Sequence, residues 1–260
     1  MALSVPLESY LNASEHQFNL SFAEVLLLRD YCRTSGTMFC STMGGCESIR
    51  DLQESKYLGA EATEFPFVES LFSISKIFSA FDKVYLNDKK KLNNYKFFIN
   101  IGSKNGIEML LDAKEIKIPE FLNKRNLVFT FDRIKLARDL FLLKTNKINL
   151  NKYEDQLNKE ISEAVKVINK EGFSCCISGG INKTSFKKLS ESINNIEFIK
   201  TGLFTVKISE LSFDKFSRVI KTCQSNEAKL LNLMLDVLNN KIDYLNERIV
   251  SINDDIYEKL

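Results

Sequence analysis

The sequence predicts an α/β fold with a parallel sheet, and two features of its 260 residues support this class. Short apolar runs typical of strands alternate with amphipathic segments typical of helices along most of the chain. One run, residues 96–101, contains four apolar residues in nearly continuous order (Phe97, Phe98, Ile99 and Ile101), as expected of a strand buried on both faces of a parallel sheet. Alternation of this kind indicates βα units, but a closed barrel and an open doubly wound sheet would produce the same pattern.

The elements are assigned from apolar spacing and from the glycines that interrupt it. Seven strands are predicted at residues 2–7, 37–43, 61–68, 96–101, 127–131, 173–177 and 198–208. Helices are predicted between them at residues 22–32, 49–58, 71–81, 106–111, 153–170 and 185–192. Two strands are followed by Gly-Gly pairs, but the chain contains no G-x-G-x-x-G, so a dinucleotide-binding turn is not predicted.

Charge and hydropathy restrict the classes of partner. With 36 basic and 34 acidic residues the formal net charge is +2, which gives no electrostatic reason to expect nucleic acid or an anionic membrane. No apolar run approaches the ~18 residues of a membrane span. The apolar start at residues 1–6 is too short for a signal peptide. We therefore expect a cytoplasmic protein with no membrane and no nucleic-acid partner.

The chain has six cysteines, but their pattern does not predict a zinc site. There is no C-x-x-C pair, and the only histidine is His16. Cys175 and Cys176 are adjacent within a strand-like run, where successive side chains point to opposite faces of the sheet. Buried free thiols are the better interpretation.

The C-terminal region carries an unbroken heptad pattern. Apolar residues recur there at alternating spacings of four and three: Leu231, Leu235, Leu238, Ile242, Leu245, Ile249, Ile252 and Ile256. We call these eight residues the heptad seam; they cover nearly four heptads. A helix of ~35 residues would be about 50 Å long. Two interpretations stay open: the helix folds back on its own domain, or it binds a second chain.

Several segments resemble motifs of one known family. Residues 43–51 resemble I-G-G-C-E-A-x-R-D, and residues 58–60 with 64–70 resemble L-G-V … A-P-M-x-E-[ST]-P. Residues 98–101 resemble I-N-I-E, and residues 178–181 resemble G-G-G-[IV]. These motifs occur in the order and spacing of a bacterial branch of the HpcH/HpaI aldolase/citrate lyase family, and the resemblance extends over roughly residues 2–260, including the long C-terminal helix.

The resemblance implies a (β/α)8 TIM-type barrel over residues 1–210 and a C-terminal helical extension over residues 211–260. It implies a ligand that is a 2-oxo acid such as pyruvate or oxaloacetate, or a related or phosphorylated small molecule, and Mg²⁺ held by a Glu and an Asp at strand ends. Metal and a basic residue stabilise the enolate oxygen in such a site. The positions that match substrate-contacting turns are Gly44, Gly45, Arg50, Gly179 and Gly180.

The same comparison implies that most charged ligands of this site are missing. Thr42 stands where the basic residue is expected, and Gly102 replaces the metal-binding Glu. Residues 200–203 match the family's E-T-R-K, with Lys200 in place of its acid and Gly202 in place of its arginine. Arg133 occupies the position of the metal-binding Asp; Asp132 matches only after a shift of one residue, which would turn its side chain to the opposite face. We therefore expect no cofactor, and Mg²⁺ only if that alignment is misplaced and the protein is an ordinary lyase.

Two further hypotheses remain. In the first, the protein is a catalytically impaired relative that acts by assembly, as a homo- or hetero-oligomer formed through the C-terminal helix. In the second, it is a carbon–carbon lyase or aldolase whose site needs no metal: Arg133, Lys135 and Arg138 would bind a carboxylate or phosphate, and Glu64 or Glu69 would act as acid or base. Against the second, the three basic residues could lie on the outer face of a helix. Glu69 and Arg133 are the candidate catalytic residues.

Overall fold

A computed structural model describes residues 9–13, 22–143, 149–208 and 213–257. Its strands are β1 (Ser9–Ala13), β2 (Met38–Thr42), β3 (Ala62–Phe65), β4 (Lys96–Ile101), β5 (Leu127–Asp132), β6 (Ser174–Ser178), β7 (Phe198–Lys200) and β8 (Phe204–Lys207). Its α-helices are α1 (Phe22–Ser35), α2 (Ile49–Leu58), α3 (Leu71–Val84), α4 (Lys104–Asp112), α5 (Arg133–Leu140), α6 (Glu154–Lys170), α7 (Lys183–Ser192) and α8 (Phe213–Tyr257). Short 3-10 helices lie at Lys89–Asn94, Lys124–Asn126 and Leu150–Lys152.

The strands pair in chain order, and β8 pairs back with β1, so the strand order is that of a closed barrel. Strands β1 to β7 run parallel, whereas β8 is antiparallel to both β7 and β1. Only residues 201–203 separate β7 from β8, and so short a connection can join only antiparallel neighbours. The predicted α/β class and long C-terminal helix are confirmed, but regular (β/α)8 repetition is not, because the last strand is reversed and no helix precedes it.

Most predicted elements are present, with two differences. The predicted strand at 198–208 is a hairpin of β7 and β8, because the chain turns at residues 201–203. The predicted strand at 2–7 lies outside the described residues, and the first described strand is β1 (Ser9–Ala13). The predicted domain boundary at 210/211 also falls outside the described residues. None of the helices in the described ranges combines the length and apolarity needed to cross a membrane.

Side chains inside the barrel form two layers. The lower layer is apolar and consists of Cys40, Ala62, Phe98, Val128, Cys176 and Phe198. Because inward-facing residues recur with a period of two along a strand, the next layer toward the C-terminal ends is two positions further on. That layer, which we call the polar layer, consists of Thr42, Glu64, Asn100, Thr130, Ser178 and Lys200. Cys175 and Cys176 are both fully buried free thiols, as predicted.

Polar side chains start several helices directly after the strands. Ser70 caps α3, Ser103 caps α4, Asp132 caps α5 and Asn182 caps α7, each accepting a hydrogen bond from a backbone N–H of the first turn. Such caps satisfy N–H groups that have no partner within the helix. Four helices therefore begin at the same end of the barrel, where the parallel strands end.

The last helix, α8, has 45 residues and is roughly 67 Å long. Its first half packs on the barrel through buried side chains that include Phe216, Ile220 and Cys223. Further along, Lys241 Nζ lies 3.3 Å from Glu24 Oε1 of α1. Most of the apolar side chains between Leu231 and Val250 are exposed. The helix is therefore integral to the fold at its start and exposes an apolar surface over the rest.

Packing between the sheet and the outer helices is centred on Phe81 of α3. Its ring is fully buried and lies 4.5–5.9 Å, between ring centres, from Phe65, Tyr85, Tyr95 and Phe97. Such aromatic contacts add to the free energy gained from burial alone. These rings attach α3 to β3 and β4.

Phe81→Ala is expected to lower the free energy of unfolding by ~3–5 kcal/mol, because it removes buried apolar surface and leaves a cavity. The matched control is Phe72→Ala in the same helix, where the ring is 68% exposed. That change should cost less than about 1 kcal/mol. Urea unfolding followed by circular dichroism measures both. Equal losses in the two variants would contradict the packing described here.

Candidate functional site

A cavity of about 930 Å³ opens at the C-terminal ends of the parallel strands, the end at which α/β barrels carry their ligand sites. We call it the mouth cavity. Its lining includes five members of the polar layer: Thr42, Glu64, Asn100, Ser178 and Lys200. One wall comes from α8, through Gln224, Glu227, Ala228 and Leu231. The mouth cavity is thus formed by strand ends and by the C-terminal helix together.

A buried ion pair crosses the floor of the mouth cavity. Lys200 Nζ of β7 lies 2.5 Å from Glu64 Oε2 of β3, and the two side chains are 12% and 4% exposed. Asn100 Nδ2 donates to Glu64 Oε1 at 3.3 Å, and Thr42 Oγ1 donates to Glu64 Oε2 at 3.4 Å. The Glu64 carboxylate therefore has partners on three other strands.

Both members of the pair remain charged at neutral pH. Burial raises the pKa of Glu64, but the charge and hydrogen bond of Lys200, with smaller effects of Asn100 and Lys135, outweigh it, so the pKa lies below its usual 4.5. Burial lowers the pKa of Lys200, but Glu64 outweighs that effect and the pKa lies above 10.5. A protonated lysine is not a nucleophile, so this amine does not suit Schiff-base chemistry. The pair supplies fixed charge in the floor.

The residues around this pair do not fit the Mg²⁺ site that the family resemblance implies. At Gly102, an added Cβ would lie 3.2 Å from Lys135 Cδ and 3.4 Å from Asn100 Oδ1, so the lysine side chain fills the space a glutamate would need. Among the described residues there is no cluster of three or more His, Cys, Asp or Glu that could hold a metal. Mg²⁺ prefers oxygen ligands in a regular octahedron.

The placement of Asp132 and Arg133 differs from the expectation. Counting by twos from the inward-facing Val128 brings Asp132 to the inner face, and Asp132 does line the mouth cavity. The expectation that its side chain turns away is therefore wrong. Its Oδ1 accepts hydrogen bonds from the N–H groups of Ile134 and Lys135 at 3.1 Å, so the carboxylate is already used to cap α5.

Arg133, by contrast, points away from the barrel interior and does not line the mouth cavity. Its guanidinium is buried, 2.9 Å from Glu154 Oε1 of α6, and Glu154 Oε2 also accepts from Lys188 Nζ at 2.7 Å. This ion pair between helices argues against the proposed catalytic role. Lys135 and Arg138 do line the mouth cavity. The alternative that the three basic residues lie on the outer face of a helix therefore holds for Arg133 alone.

The remaining candidate residues divide into two groups. Gly44, Gly179 and Gly180 line the mouth cavity, whereas Gly45, Arg50 and Glu69 do not. The Arg50 side chain is 88% exposed and pairs with Glu54 of the same helix at 3.1 Å, and Glu69 is exposed. These positions give no support to a binding role for Arg50 or a catalytic role for Glu69.

Gly179 has a positional requirement that explains why a glycine stands there. Its φ is +81°, and an added Cβ would lie 2.8 Å from the backbone nitrogen of Ile134 and 2.9 Å from Asp132 Oδ1. Any other residue would be strained and would push the first turn of α5 away from β6. Gly179 therefore holds the N-terminus of α5 close to the strand end.

Three residues of the mouth cavity were missed by the sequence reasoning. Lys200 lies two residues after the inward-facing Phe198, and this parity is the sequence signal for its place in the mouth cavity. Glu227 of α8 reaches over Gly202, where an added Cβ would overlap its carboxylate, and burial raises its pKa despite hydrogen bonds from Leu203 and Thr201. No sequence signal places Glu227 there.

The third missed residue is Phe67, which follows β3. Its φ is +50°, a backbone conformation rarely adopted by a bulky residue, and its ring is 56% exposed at the mouth cavity. Lys135 Nζ lies 4.4 Å from the ring centre, within the range of a cation–π contact, and 3.7 Å from Asp132 Oδ2. Strained residues of this kind cluster at functional sites.

Lys200→Met is expected to lower the free energy of unfolding by about 3–5 kcal/mol at pH 7.5, because it leaves the Glu64 carboxylate buried without its charged partner. The loss should shrink toward pH 5, because burial alone raises the pKa of Glu64 and the carboxyl then takes up a proton. Urea unfolding at several pH values measures this. A pH-independent loss would contradict the prediction.

Two controls accompany this prediction. Lys104→Met removes a lysine that is 62% exposed and 3.2 Å from Glu108, and should cost less than about 1 kcal/mol. The second control is the double variant Glu64→Gln/Lys200→Met, which lacks both charges. Compared with it, the wild-type pair should contribute its full share of the free energy of unfolding between pH 4.5 and pH 10.5, the ordinary pKa values of the two groups. Its contribution declines as pH falls through the lowered pKa of Glu64 or rises through the raised pKa of Lys200.

No protein-family model and no curated protein sequence matches the chain. Solved structures do: "Citrate Synthase SbnG" aligns with a TM-score of 0.55 and 12% identity over 85% of this chain and 83% of its own. An HpcH/HpaI aldolase/citrate lyase family protein from Burkholderia cenocepacia J2315 aligns with a TM-score of 0.55 and 10% identity over 85% of each chain. Haloferax volcanii malate synthase, in a magnesium/glyoxylate complex, aligns with a TM-score of 0.56 and 8% identity over 82% of this chain and 64% of its own. The structural neighbours thus include the family that the motifs predicted, and at these identities they show a shared fold.

Proposed function

We propose that this chain is an aldolase/citrate-lyase-like protein of the TIM-barrel type that is catalytically impaired in metal-dependent carbon–carbon chemistry and acts through assembly with another chain. The observation that carries the first half is the buried Lys200–Glu64 pair. Six free and mostly buried thiols suit a reducing compartment, so we place this role in the cytoplasm.

The charges of the mouth cavity support the loss of metal chemistry. Lys135 occupies the space beside Gly102 where a metal-binding carboxylate would stand, and Lys200 stands on β7 where the family motif has an acid. Two ammonium groups near a divalent cation would repel it. The strand-end carboxylates, Glu64 and Asp132, are each bound to other groups, and Glu227 of α8 accepts hydrogen bonds from Leu203 and Thr201. A cation site of the family type would require several of these contacts to break.

The second half of the proposal, assembly, rests on the surface of α8. Six of the heptad-seam residues are 41–57% exposed: Leu231, Leu235, Leu238, Ile242, Leu245 and Ile249. Contiguous apolar surface of this length on one helix is unusual for a protein that works alone and is typical of an interaction site. Assembly through α8, with the same or another chain, would bury it.

The test is whether the purified chain forms the pyruvate enolate with Mg²⁺. Pyruvate in D₂O exchanges its methyl protons when the enolate forms, and NMR follows the exchange. We expect no Mg²⁺-dependent rate above that of the protein-free buffer and no rise of Tm with millimolar Mg²⁺. Magnesium-dependent exchange by the chain alone would contradict the proposal.

A matched variant shows that the assay can detect a metal. Gly102→Glu/Lys135→Ala restores a carboxylate next to Asp132 and removes the side chain that fills its space. Because two carboxylates suffice for many Mg²⁺ sites, Tm of this variant should rise with Mg²⁺ while that of the wild type stays constant.

The second candidate function is a metal-free lyase or aldolase acting on a 2-oxo acid or a related carboxylate or phosphate. Its specific support is the open mouth cavity of about 930 Å³, into which Lys135 and Arg138 both project from α5. Such cations can hold a carboxylate or phosphate and stabilise an enolate oxygen. In this reaction Glu64 would serve as the base only after leaving Lys200.

This candidate predicts pyruvate exchange in the presence of EDTA. The wild-type rate should then exceed that of buffer and fall by roughly 10²-fold in Lys135→Ala, by analogy with the loss of one oxyanion donor. Lys104→Ala, which removes an exposed lysine of α4, is the matched control and should keep the rate. Absence of exchange in EDTA removes this candidate and leaves the first.

A further inference from the structure

We propose that α8 forms a parallel two-stranded coiled coil with α8 of a second copy of this chain. This deepens the assembly half of the proposed function, on which it rests, by naming the partner and its orientation. The surface concerned is the heptad seam, which begins at Leu231, the last α8 residue of the mouth-cavity wall, and runs toward the C-terminal end of the helix.

The residue types along the heptad seam favour two strands. The a positions are Leu235, Ile242, Ile249 and Ile256, and the d positions are Leu231, Leu238, Leu245 and Ile252. Isoleucine at a with leucine at d favours parallel dimers, because β-branched side chains pack well at a in that geometry. Three of the four a positions and three of the four d positions follow this rule. The residues at a and the residues at d thus both favour two parallel strands.

The flanking positions favour the parallel orientation. Every e position is asparagine: Asn232, Asn239, Asn246 and Asn253. The g positions include Lys241 and Arg248. In a parallel pair each g faces an e of the partner, so both cations face neutral asparagines. In a centred antiparallel pair g faces g, and Lys241 would lie against Arg248 of the partner, which is unfavourable for like charges.

The barrel leaves the heptad seam accessible. The side of α8 that faces its own barrel carries Leu230 and Met234, which pack against the cluster around α1, and Lys241, which pairs with Glu24. In the heptad these residues occupy c and g positions. The a positions therefore lie beside the surface of α8 that contacts its own barrel. Ile242, Leu245 and Ile249 are 46%, 57% and 56% exposed. From Leu231 to Ile256 the heptad seam is about 38 Å long, enough for nearly four heptads.

The first experiment measures the mass of the full chain by light scattering at micromolar concentrations. We expect twice the monomer mass of 29.8 kDa. Leu238→Glu/Leu245→Glu places charges in the heptad seam and should weaken the dimer at least ~100-fold, giving monomer, while the urea midpoint of the barrel stays unchanged. The matched control, Leu233→Glu/Tyr244→Glu, alters residues of the same helix that are 61% and 66% exposed but lie outside the seam, and should remain dimeric.

The second experiment determines orientation by disulfide formation in a Cys46→Ser background, since Cys46 is the only native cysteine of the six that is not buried. Leu238→Cys should form a disulfide between two copies when oxidised, because identical d positions meet in a parallel pair. Leu233→Cys, outside the seam, should not. Crosslinking only of the double variant Leu238→Cys/Ile249→Cys would indicate an antiparallel pair and overturn the proposal.

A monomeric wild type, a trimer or tetramer, or association only with a different protein also overturns it. These results can be distinguished from results that would contradict the proposed function. A monomer without Mg²⁺-dependent exchange removes the dimer and leaves the loss of metal chemistry in place. A dimer with Mg²⁺-dependent exchange keeps the coiled coil and removes the proposed loss of chemistry.

Discussion

The interaction on which the mouth of this barrel depends is the buried pair between Glu64 and Lys200. Neither charge would be stable alone inside the barrel, since desolvation of a single carboxylate or ammonium is costly. Together they join β3 to β7 across the interior, and Asn100 and Thr42 tie the carboxylate to two more strands. The pair places fixed charge of both signs in the floor of the mouth cavity. Because each charge offsets the other, the floor of the mouth cavity is polar through side chains of the chain itself.

The reversed strand β8 determines what covers this site. Because residues 201–203 turn the chain back at once, no helix follows β7, and the next helix, α8, starts from the opposite end of β8. It then passes the strand ends and brings Glu227 over Gly202. A side chain at residue 202 would collide with that carboxylate. The glycine at residue 202 thus leaves the space that the Glu227 carboxylate of α8 occupies.

The sequence predicts the elements that are set by the spacing of apolar residues and by local composition. It does not predict the features that depend on contacts between residues far apart in the chain. The apolar run of β4 and the glycine end of α2 locate these elements. Counting by twos from the inward-facing Val128 and Phe198 places Asp132 and Lys200 on the inner face of the barrel. The hairpin inside residues 198–208 has a sequence signal that the single predicted strand misses, because Gly202 lies in the three-residue turn between its two apolar runs. Glu227 lies 27 residues beyond Lys200, so its place at the mouth cavity follows only from how α8 crosses the barrel. Arg133 illustrates the same limit. A shift of one position along the chain separates Asp132, which faces the barrel interior, from Arg133, which forms a buried ion pair with Glu154 between two helices.

The long helix connects the two halves of the proposed function physically. Leu231 belongs both to the mouth-cavity wall and to the first d position of the heptad seam, and Glu227 lies one turn earlier on the same helix. An α-helix transmits rotation and translation along its axis because its backbone hydrogen bonds resist bending. A partner that rotates α8 to complete a coiled coil would therefore also move Glu227 relative to Gly202 and Thr201. The position of this helix is therefore the means by which assembly would change the mouth cavity.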